Sequence, residues 1–257
     1  MDYKVAVKSD VGITKSANQD SCCYKEAVTD DGKVILAVIC DGMGGLSKGE
    51  VASASVINAF SQWFEKELPK IIGKTDVSGE ILYQMDRLIK KLNNDIAQYG
   101  IENGISLGTT VSAFIVLENG EYIISHVGDS RIYVIKKDSM RMLTNDQTLV
   151  ANEVAKGNIT AEEAGARLDR NILLQCVGAS KVVTPEFYKG KICKEECYLL
   201  CSDGFCHEIT VQEMWSELRP GVNEDENKMR KNIEKLIGMC KERDESDNIT
   251  AMLIETC

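Results

Sequence analysis

Five aspartates stand beside apolar segments that have the pattern of β-strands, and this arrangement constrains the chain more than any other feature. They are Asp20, Asp41, Asp129, Asp203 and Asp247. A carboxylate at the end of a buried strand is costly when it is charged, dry and unpaired. Any one of the five is explained well enough as a turn or helix N-cap residue. Together they favour a cation site, and hard oxygen ligands suit Mg²⁺ or Mn²⁺ rather than zinc.

The segment Asp41-Gly42-Met43-Gly44-Gly45 follows the longest apolar run of the chain, Val34 to Cys40. Glycines at this point let the backbone approach an ion and leave a peptide carbonyl free to bind it. No Gly-x-Gly-x-x-Gly pattern follows, so the segment is not a dinucleotide-binding loop. Gly73-Lys74-Thr75 is not a Walker loop either, because Leu68 stands where the leading glycine is required.

Alternating or β-branched segments predict strands at both ends of the chain and in its middle. The predicted strands are Lys4 to Lys8, Ser21 to Ala27, Lys33 to Cys40, Thr109 to Leu117, Glu121 to Val127, Arg131 to Lys136, Val182 to Tyr188, Glu196 to Ser202 and Asn248 to Glu255. Turn signals separate several of them, such as Asp30-Asp31-Gly32 and the hairpin turn Glu118-Asn119-Gly120. We expect antiparallel sheets covered by helices rather than alternating βαβ units.

Amphipathic periodicity predicts helices at about Glu50 to Leu68, Ser78 to Gln98 and Asn223 to Glu242, with a polar and helical stretch from Thr144 to Asp169. The candidate core positions are Val51, Ala54, Ala59 and Trp63 in the first helix and Ile81, Met85, Leu88, Leu92 and Ile96 in the second. We interpret both stripes as core faces rather than cofactor-binding surfaces.

The length of 257 residues, with 3 prolines and no Gly/Ser/Pro-rich linker, favours one domain spanning residues 1–257. The net charge is −10, and an acidic surface repels phosphate backbones, so we expect no nucleic-acid binding. One interpretation is that this negative charge only keeps the protein soluble. The other is that several of the carboxylates bind cations, which neutralise their charge. The start of the chain lacks an apolar leader and no apolar run reaches membrane length, so we expect a cytoplasmic protein without membrane contact.

The chain has 10 cysteines, which we expect to be free thiols in a reducing compartment. Cys193, Cys197 and Cys201 recur every four residues, but the last two share a strand face with Leu199 and lie far apart along it. Neither His126 nor His207 stands at a spacing typical of a zinc partner. Buried packing of these thiols is the better interpretation.

Eight sequence blocks, in order and spread over most of the chain, resemble the motifs of the type 2C (PPM family) protein phosphatases, most closely the compact bacterial members. The blocks are Val11 to Ser21, Cys40 to Gly45, Gly108 to Thr110, Val127 to Arg131, Leu143 to Asp146, Gly157 to Thr160, Cys201 to Gly204 and Asp247 to Thr250. The resemblance implies an α+β fold, a four-layer α-β-β-α sandwich in which two antiparallel sheets are flanked by helices. It also implies a metal centre at one end of the sandwich.

The resemblance further implies metal-dependent hydrolysis of phosphoserine and phosphothreonine by an activated bridging water, with two Mn²⁺ or Mg²⁺ ions per chain and a third at a weaker site. Asp41 would bridge the two metals, Asp203 and Asp247 would bind the first, and the Gly42 carbonyl would bind the second. Asp20 would hold waters of the second metal, and Asp129 with Asp203 would bind the third. Lys15 would contact the substrate phosphate, and Asn248 and Gln19 would support the ligands. The predicted catalytic residues are therefore Asp41, Lys15 and Asp20.

Four positions depart from the family pattern. Lys15 replaces a phosphate-gripping arginine and loses its two-pronged contact, so we expect weaker phosphate binding rather than none. Met43 replaces a histidine that is a candidate general acid in animal members, and it cannot transfer a proton. Gln19 and Gln147 replace a glutamate and a histidine found in many members. Every metal-binding aspartate remains, which argues against an inactive homologue.

The segment at about 146–171 corresponds to the flap beside the active site of bacterial relatives, or it is simply a surface helix-loop element. The resemblance implies phosphorylated proteins as partners, a Ser/Thr kinase that the enzyme opposes, and phosphothreonine-binding module proteins. We expect a monomer. Two other functions stay open, a phosphatase-fold adaptor or sensor with weak activity and a hydrolase of small phosphoesters.

Overall fold

A computed structural model describes residues 1–30, 32–43 and 48–257. Ten of its strands form two five-stranded sheets in which every pairing is antiparallel. In spatial order the first sheet contains β1 (Tyr3–Asp10), β12 (Ile249–Thr256), β11 (Cys197–Cys201), β8 (Arg131–Ile135) and β9 (Met140–Met142). The second sheet contains β10 (Glu186–Lys191), β7 (Glu121–Val127), β6 (Val111–Val116), β3 (Lys33–Cys40) and β2 (Ser21–Val28). A short ladder pairs β4 (Gly42–Met43) with β5 (Gly108–Thr109).

Helices cover the outer face of each sheet. The helices of the described residues are α1 (Gly49–Lys66), α2 (Leu68–Ile71), α3 (Val77–Asn103), α4 (Leu149–Ala155), α5 (Ala161–Gly165), α6 (Asp203–Cys206), α7 (Val211–Leu218) and α8 (Glu226–Glu242). The apolar side chains of α1 and α3 pack on the second sheet, and those of α7 and α8 pack on the first. The predicted four-layer α-β-β-α sandwich is confirmed.

Strand β3 shows why the sequence folds in this way. Its side chains alternate, so Val34, Leu36 and Val38 face the helices while Ile35, Ala37 and Ile39 face the other sheet. A strand that is buried on both faces has a continuous apolar sequence, and Val34 to Cys40 is such a sequence. The layer between the sheets also holds a cluster of aromatic rings. Phe114 stacks on Tyr198 with 4.9 Å between ring centroids, and Tyr122 lies 5.4 Å from Phe114.

The first helix presents a different face to the core from the one predicted. Its buried apolar side chains are Ala52, Val56, Phe60, Trp63 and Phe64, so only Trp63 of the four predicted positions is buried. The positions Val51 and Ala59 lie beside this stripe and are only partly buried. In α3 the prediction holds except that Ile89 is buried and its neighbour Leu88 is only partly so. A shift of one residue turns a helix face by about 100°, which explains both errors.

One predicted strand is displaced, and the helix α2 and the strand β9 were not predicted, nor were two further helices. The strand predicted from Val182 begins at Glu186, opposite His126 of β7. The backbone of Thr184 bonds to the Gln175 side chain and not to a neighbouring strand. The Gln175 amide donates to the Thr184 carbonyl (2.9 Å) and accepts from the Thr184 N–H (2.9 Å). The helices α6 and α7 were not predicted. Thr210 and Glu213 form a capping box at the start of α7, and this pair is a sequence signal for a helix N-terminus.

Several smaller features bear on the sequence predictions. All ten cysteines are free thiols, and Cys197, Leu199 and Cys201 pack together on the side of the first sheet that faces α7 and α8. No helix of the described residues is long and apolar enough to cross a membrane. The stretch at about 146–171 contains the short helices α4 and α5. Its role as a flap, and the division of the chain as a single domain, stay predictions.

Candidate metal centre

Asp41 follows β3 and is held there by the neighbouring strand. Its N–H donates to Thr110 Oγ1 (2.8 Å), and its carbonyl accepts from the Thr110 N–H and the Thr109 hydroxyl at 2.9 Å each. These three bonds leave the backbone little freedom. The charge of Asp203, the first residue of α6, acts on the Asp41 carboxyl group and helps to raise its pKa.

Asp20 joins three distant parts of the chain. Its Oδ2 accepts hydrogen bonds from Ser202 Oγ (2.9 Å), directly before Asp203, and from Thr250 Oγ1 (2.6 Å), on the strand that follows Asp247. The other oxygen, Asp20 Oδ1, is buried and has no hydrogen-bond partner in the described part of the chain. Asp203 Oδ1 is also buried, and it has no hydrogen-bond partner within residues 1–30, 32–43 and 48–257. Two carboxylate oxygens are therefore buried and available.

Asp247 precedes β12 and already has partners. Its Oδ1 accepts from the Asn248 N–H (2.7 Å) and lies 2.9 Å from Lys15 Nζ. The Asn248 side chain accepts from the Gln19 N–H (2.8 Å) and donates to the carbonyls of Val11 (2.9 Å) and Ala17 (3.1 Å). Asn248 thus holds the segment that carries Lys15 and Asp20 against the start of β12. This position is compatible with its predicted role beside the metal ligands.

Gly42 occupies a site with no room for a side chain. A Cβ atom there would lie 2.3 Å from the Gly49 carbonyl oxygen and 2.4 Å from that of Gln19. The Gln19 side-chain amide lies between the Gly42 carbonyl and the Gly49 N–H, at 3.1 Å from each when its nitrogen faces Gly42. The predicted supporting position of Gln19 is therefore consistent with the geometry. The predicted loop glycines Gly44 and Gly45 lie outside the described residues.

The five aspartates meet in one region, and their charges act on one another. Burial, together with the charges of Asp203 and Asp247, raises the pKa of Asp20 to about 7, although hydrogen bonds from Thr250 and Ser202 act to lower it. Burial also raises the pKa of Asp41 well above its usual range, with the charges of Asp203, Asp20 and Asp129 adding to the effect. The pKa of Asp129 is raised by burial and by Asp203. The region therefore has an excess of negative charge.

Lys15 is the cation beside this cluster. Burial acts to lower its pKa, but the hydrogen bond and charge of Asp247, with the charges of Asp41 and Asp203, raise it overall. Its side chain is 40% exposed, so its ammonium group is accessible from solvent. The position is compatible with the predicted contact to a substrate phosphate.

The donor set fits divalent cations, although the carboxylates do not yet surround an ion. Within the described ranges, no group of three or more His, Cys, Asp or Glu side chains is arranged to hold a metal as the side chains stand. The fit rests on the two buried oxygens of Asp20 and Asp203 that have no partner among the described residues, and on the charge of Asp203 acting on the buried carboxyl group of Asp41. Acidic groups that lie this close ionise together only when cations neutralise them. The individual roles of the predicted ligands stay predictions.

His207 and Glu245 also belong to this region, and the sequence patterns did not single them out as site residues. His207 lies between two acids, with Nε2 3.6 Å from Asp203 Oδ2 and Nδ1 3.6 Å from Glu245 Oε2. Burial acts to lower the pKa of His207, but the neighbouring carboxylate of Glu245 and the charge of Asp203 raise it to about 9. The spacing of four residues between Asp203 and His207 was an available signal, because a helical turn brings such residues together.

A cavity of about 950 Å³ opens beside the cluster. Asp129, Asp203 and His207 line one side, and Val150 and Ala164 of the predicted flap line another. Arg131 lies on the same wall, held by Asp146 through hydrogen bonds of 2.9 and 2.6 Å. The cavity therefore opens onto Asp129 and Asp203 of the five aspartates.

Comparison with known proteins places the chain among phosphatases. The family model described as protein phosphatase 2C matches residues 13–253. A putative protein phosphatase 2C-type of Streptococcus pyogenes is 29% identical over 98% of this chain and 96% of its own length. Protein phosphatase PhpP of Streptococcus pneumoniae is 28% identical over the same shares.

Solved structures agree with these sequence matches. The serine/threonine phosphatase Stp1 of Staphylococcus aureus superposes with a TM-score of 0.84 at 27% identity, covering 100% of this chain and 96% of that one. The catalytic domain of the serine/threonine phosphatase PstP, solved in complex with two manganese ions, has a TM-score of 0.79 at 26% identity, with 98% and 97% covered.

Proposed function

The chain belongs to the protein phosphatase 2C family of serine/threonine phosphatases, and on this premise we propose that it hydrolyses phosphoserine and phosphothreonine in proteins with the help of divalent cations. The convergence of five aspartates from distant parts of the chain is the observation that carries the proposal. Similarity to protein phosphatase PhpP and to the serine/threonine phosphatase stp of Listeria innocua supports protein substrates.

Two Mn²⁺ or Mg²⁺ ions would be held by the predicted ligands. Asp41 would contact both, Asp203 and Asp247 would bind the first, and the Gly42 carbonyl with Asp20 would serve the second. Asp129 and Asp203 would form the weaker third site. When bound, such ions lower the pKa of water and neutralise charge on the phosphoryl oxygens. The complex of PstP with two manganese ions supports this number and metal type.

The chain's own groups orient the substrate. Lys15 brings a positive charge beside the aspartates, where it attracts a phosphate dianion and holds it near the cavity. A lysine makes one point contact rather than a two-pronged one, so orientation depends on the cavity walls as well. Met43 cannot give a proton to the leaving alkoxide, so another donor in the cavity does so.

The same proposal extends to the cellular setting. We place the enzyme in the cytoplasm as a single-domain monomer, with residues 146–171 as a flap beside the cavity. Its partners would be phosphorylated proteins, a Ser/Thr kinase that it opposes and phosphothreonine-binding module proteins. Retention of every predicted metal-binding aspartate counts against the adaptor or sensor alternative.

The test is hydrolysis of an aryl phosphate in Mn²⁺, Mg²⁺ or EDTA by the wild-type chain, Asp203→Ala and the surface control Asp86→Asn. We expect turnover only with a cation, loss of turnover in Asp203→Ala, and a wild-type rate in the control, since Asp86 pairs with Lys90 on α3. Turnover that persists in EDTA or in Asp203→Ala would defeat the metal-dependent mechanism.

A second measurement separates the substrate classes. We compare kcat/KM for phosphothreonine peptide, phosphotyrosine peptide and small phosphoesters. A clear preference for the phosphothreonine peptide supports a protein phosphatase. A preference for the small esters would favour the hydrolase alternative.

A further inference from the structure

Glu245 has each of its carboxylate oxygens engaged on a different side. Oε1 accepts the backbone N–H groups of Ser246 (2.7 Å) and Asp247 (2.9 Å), so it shapes the loop from which the Asp247 side chain projects. Oε2 lies 3.6 Å from His207 Nδ1. The Glu245 side chain is only 5% exposed, so its carboxylate interacts with these protein groups rather than with bulk water.

His207 carries the connection onward to Asp203. Its Nε2 lies 3.6 Å from Asp203 Oδ2, and its side chain is 14% exposed. The opposite oxygen, Asp203 Oδ1, is buried and unpartnered among the described residues. The imidazole therefore engages one oxygen of Asp203 and leaves the other available.

The two segments joined in this way are also in close backbone contact. A Cβ atom on Gly204 would lie 2.3 Å from the Asn248 carbonyl oxygen and 3.4 Å from Asp247 Cβ. The start of α6 thus packs directly on the loop before β12, although more than forty positions separate them. Glu245 and His207 span the same junction through side chains.

We propose that Glu245 and His207 form a clamp that positions Asp203 and Asp247 relative to one another, so that both carboxylates can bind the same cation. This inference rests on the proposed metal-dependent function. Both clamp members are positioning residues, because they act through the two aspartates. Groups that orient metal ligands typically contribute about 10- to 100-fold to metal affinity.

The test uses the full chain and measures Mn²⁺ binding by isothermal titration calorimetry and by electron paramagnetic resonance, together with the melting temperature of the metal-free protein. His207→Phe keeps a planar ring and removes both nitrogens, whereas His207→Gln keeps an N–H donor. Glu245→Gln keeps an acceptor for the Asp247 N–H and removes the charge that faces His207. Glu208→Gln is the matched control, because Glu208 pairs with Arg170 instead.

We expect His207→Phe to weaken Mn²⁺ binding by about 10- to 100-fold, Glu245→Gln to weaken it in the same direction, and His207→Gln to recover part of the loss. The control should bind as the wild type does. A fold-only role would lower the melting temperature of the metal-free variants and leave the Mn²⁺ affinity of the folded fraction unchanged, which would overturn the clamp.

The variants also protect the test against misfolding. If His207→Phe does not fold, His207→Gln and Glu245→Gln decide the question, and wild-type affinity in both overturns the proposal. Failure of the unsubstituted chain to bind Mn²⁺ is a different result, because it would overturn the metal-dependent function itself and the clamp with it.

Discussion

Lys15 Nζ lies 2.9 Å from Asp247 Oδ1. The residue predicted to hold the substrate phosphate is thus paired with a residue predicted to bind a cation. Such a pair balances charge at the edge of the aspartate cluster, where Asp41 and Asp203 also act on the lysine. Cation binding at Asp247 would release the ammonium group from this partner and make it available to an incoming phosphate.

Substitution of Lys15 should act mainly on substrate binding. We expect Lys15→Ala to raise KM by about tenfold, equivalent to about 1.4 kcal/mol, and Lys15→Arg to lower KM because the guanidinium group offers two parallel donors. Steady-state kinetics with a phosphothreonine peptide gives both values. Lys90→Ala serves as control, since Lys90 pairs with Asp86 on α3. An unchanged KM in Lys15→Ala would show that this lysine does not contact substrate.

Removing one acid from the cluster should separate stability from activity. Asp41→Asn keeps the side-chain shape and removes a carboxyl group whose pKa is raised by burial and by Asp203. We expect the metal-free variant to gain about 1 kcal/mol in free energy of unfolding and to lose more than about 100-fold in Mn²⁺-dependent activity. Urea denaturation in EDTA and phosphatase assays measure the two effects. A less stable metal-free variant would contradict the electrostatic interpretation.

The metal-free protein should lose stability relative to Asp20→Asn as the pH rises. The pKa of Asp20 is about 7 in the folded chain against an ordinary 3.8, so between these values the folded state holds a proton that the unfolded state has released. The free energy of unfolding therefore falls with rising pH in this window, by on the order of 1–4 kcal/mol. Melting temperatures of both proteins in EDTA from pH 5 to 7 give the difference.

His126, whose pKa burial lowers, contributes with the opposite sign, but it does so in both proteins and therefore cancels in the comparison. Saturating Mn²⁺ should abolish the difference in slope, since cations favour the ionised carboxylate. Parallel curves for the two proteins in EDTA would show that Asp20 does not hold its proton in the folded state.

Gly42 should not tolerate a methyl group. A Cβ atom would meet the carbonyl oxygens of Gly49 and Gln19 at 2.3 and 2.4 Å, and both are backbone atoms that cannot rotate away. We expect Gly42→Ala to cost about 1–3 kcal/mol in free energy of unfolding and to weaken Mn²⁺ binding. In the control Gly238→Ala, the added methyl group meets open space on α8, and stability should rise slightly. Equal behaviour of the two variants would contradict the prediction.

The sandwich could be predicted from local patterns because strand alternation and turn residues are short-range properties. Strand β3 was predicted to the residue, since an eight-residue β-branched segment between a turn and a glycine loop has few alternatives. The face of α1 was predicted less well. An error of one residue along a helix changes which side is buried, and only packing against β2 and β3 decides the correct side.

The sequence alone determined the chemistry available to this protein: strand-end aspartates of the kind that bind cations, a nearby lysine, and ordered motifs that indicated the family. The tertiary structure decided which atoms meet. Asp20 receives hydrogen bonds from Ser202 and Thr250, and His207 lies between Asp203 and Glu245. Such contacts depend on how sheets and loops pack across long chain separations, and periodicity carries no information about distances of that kind.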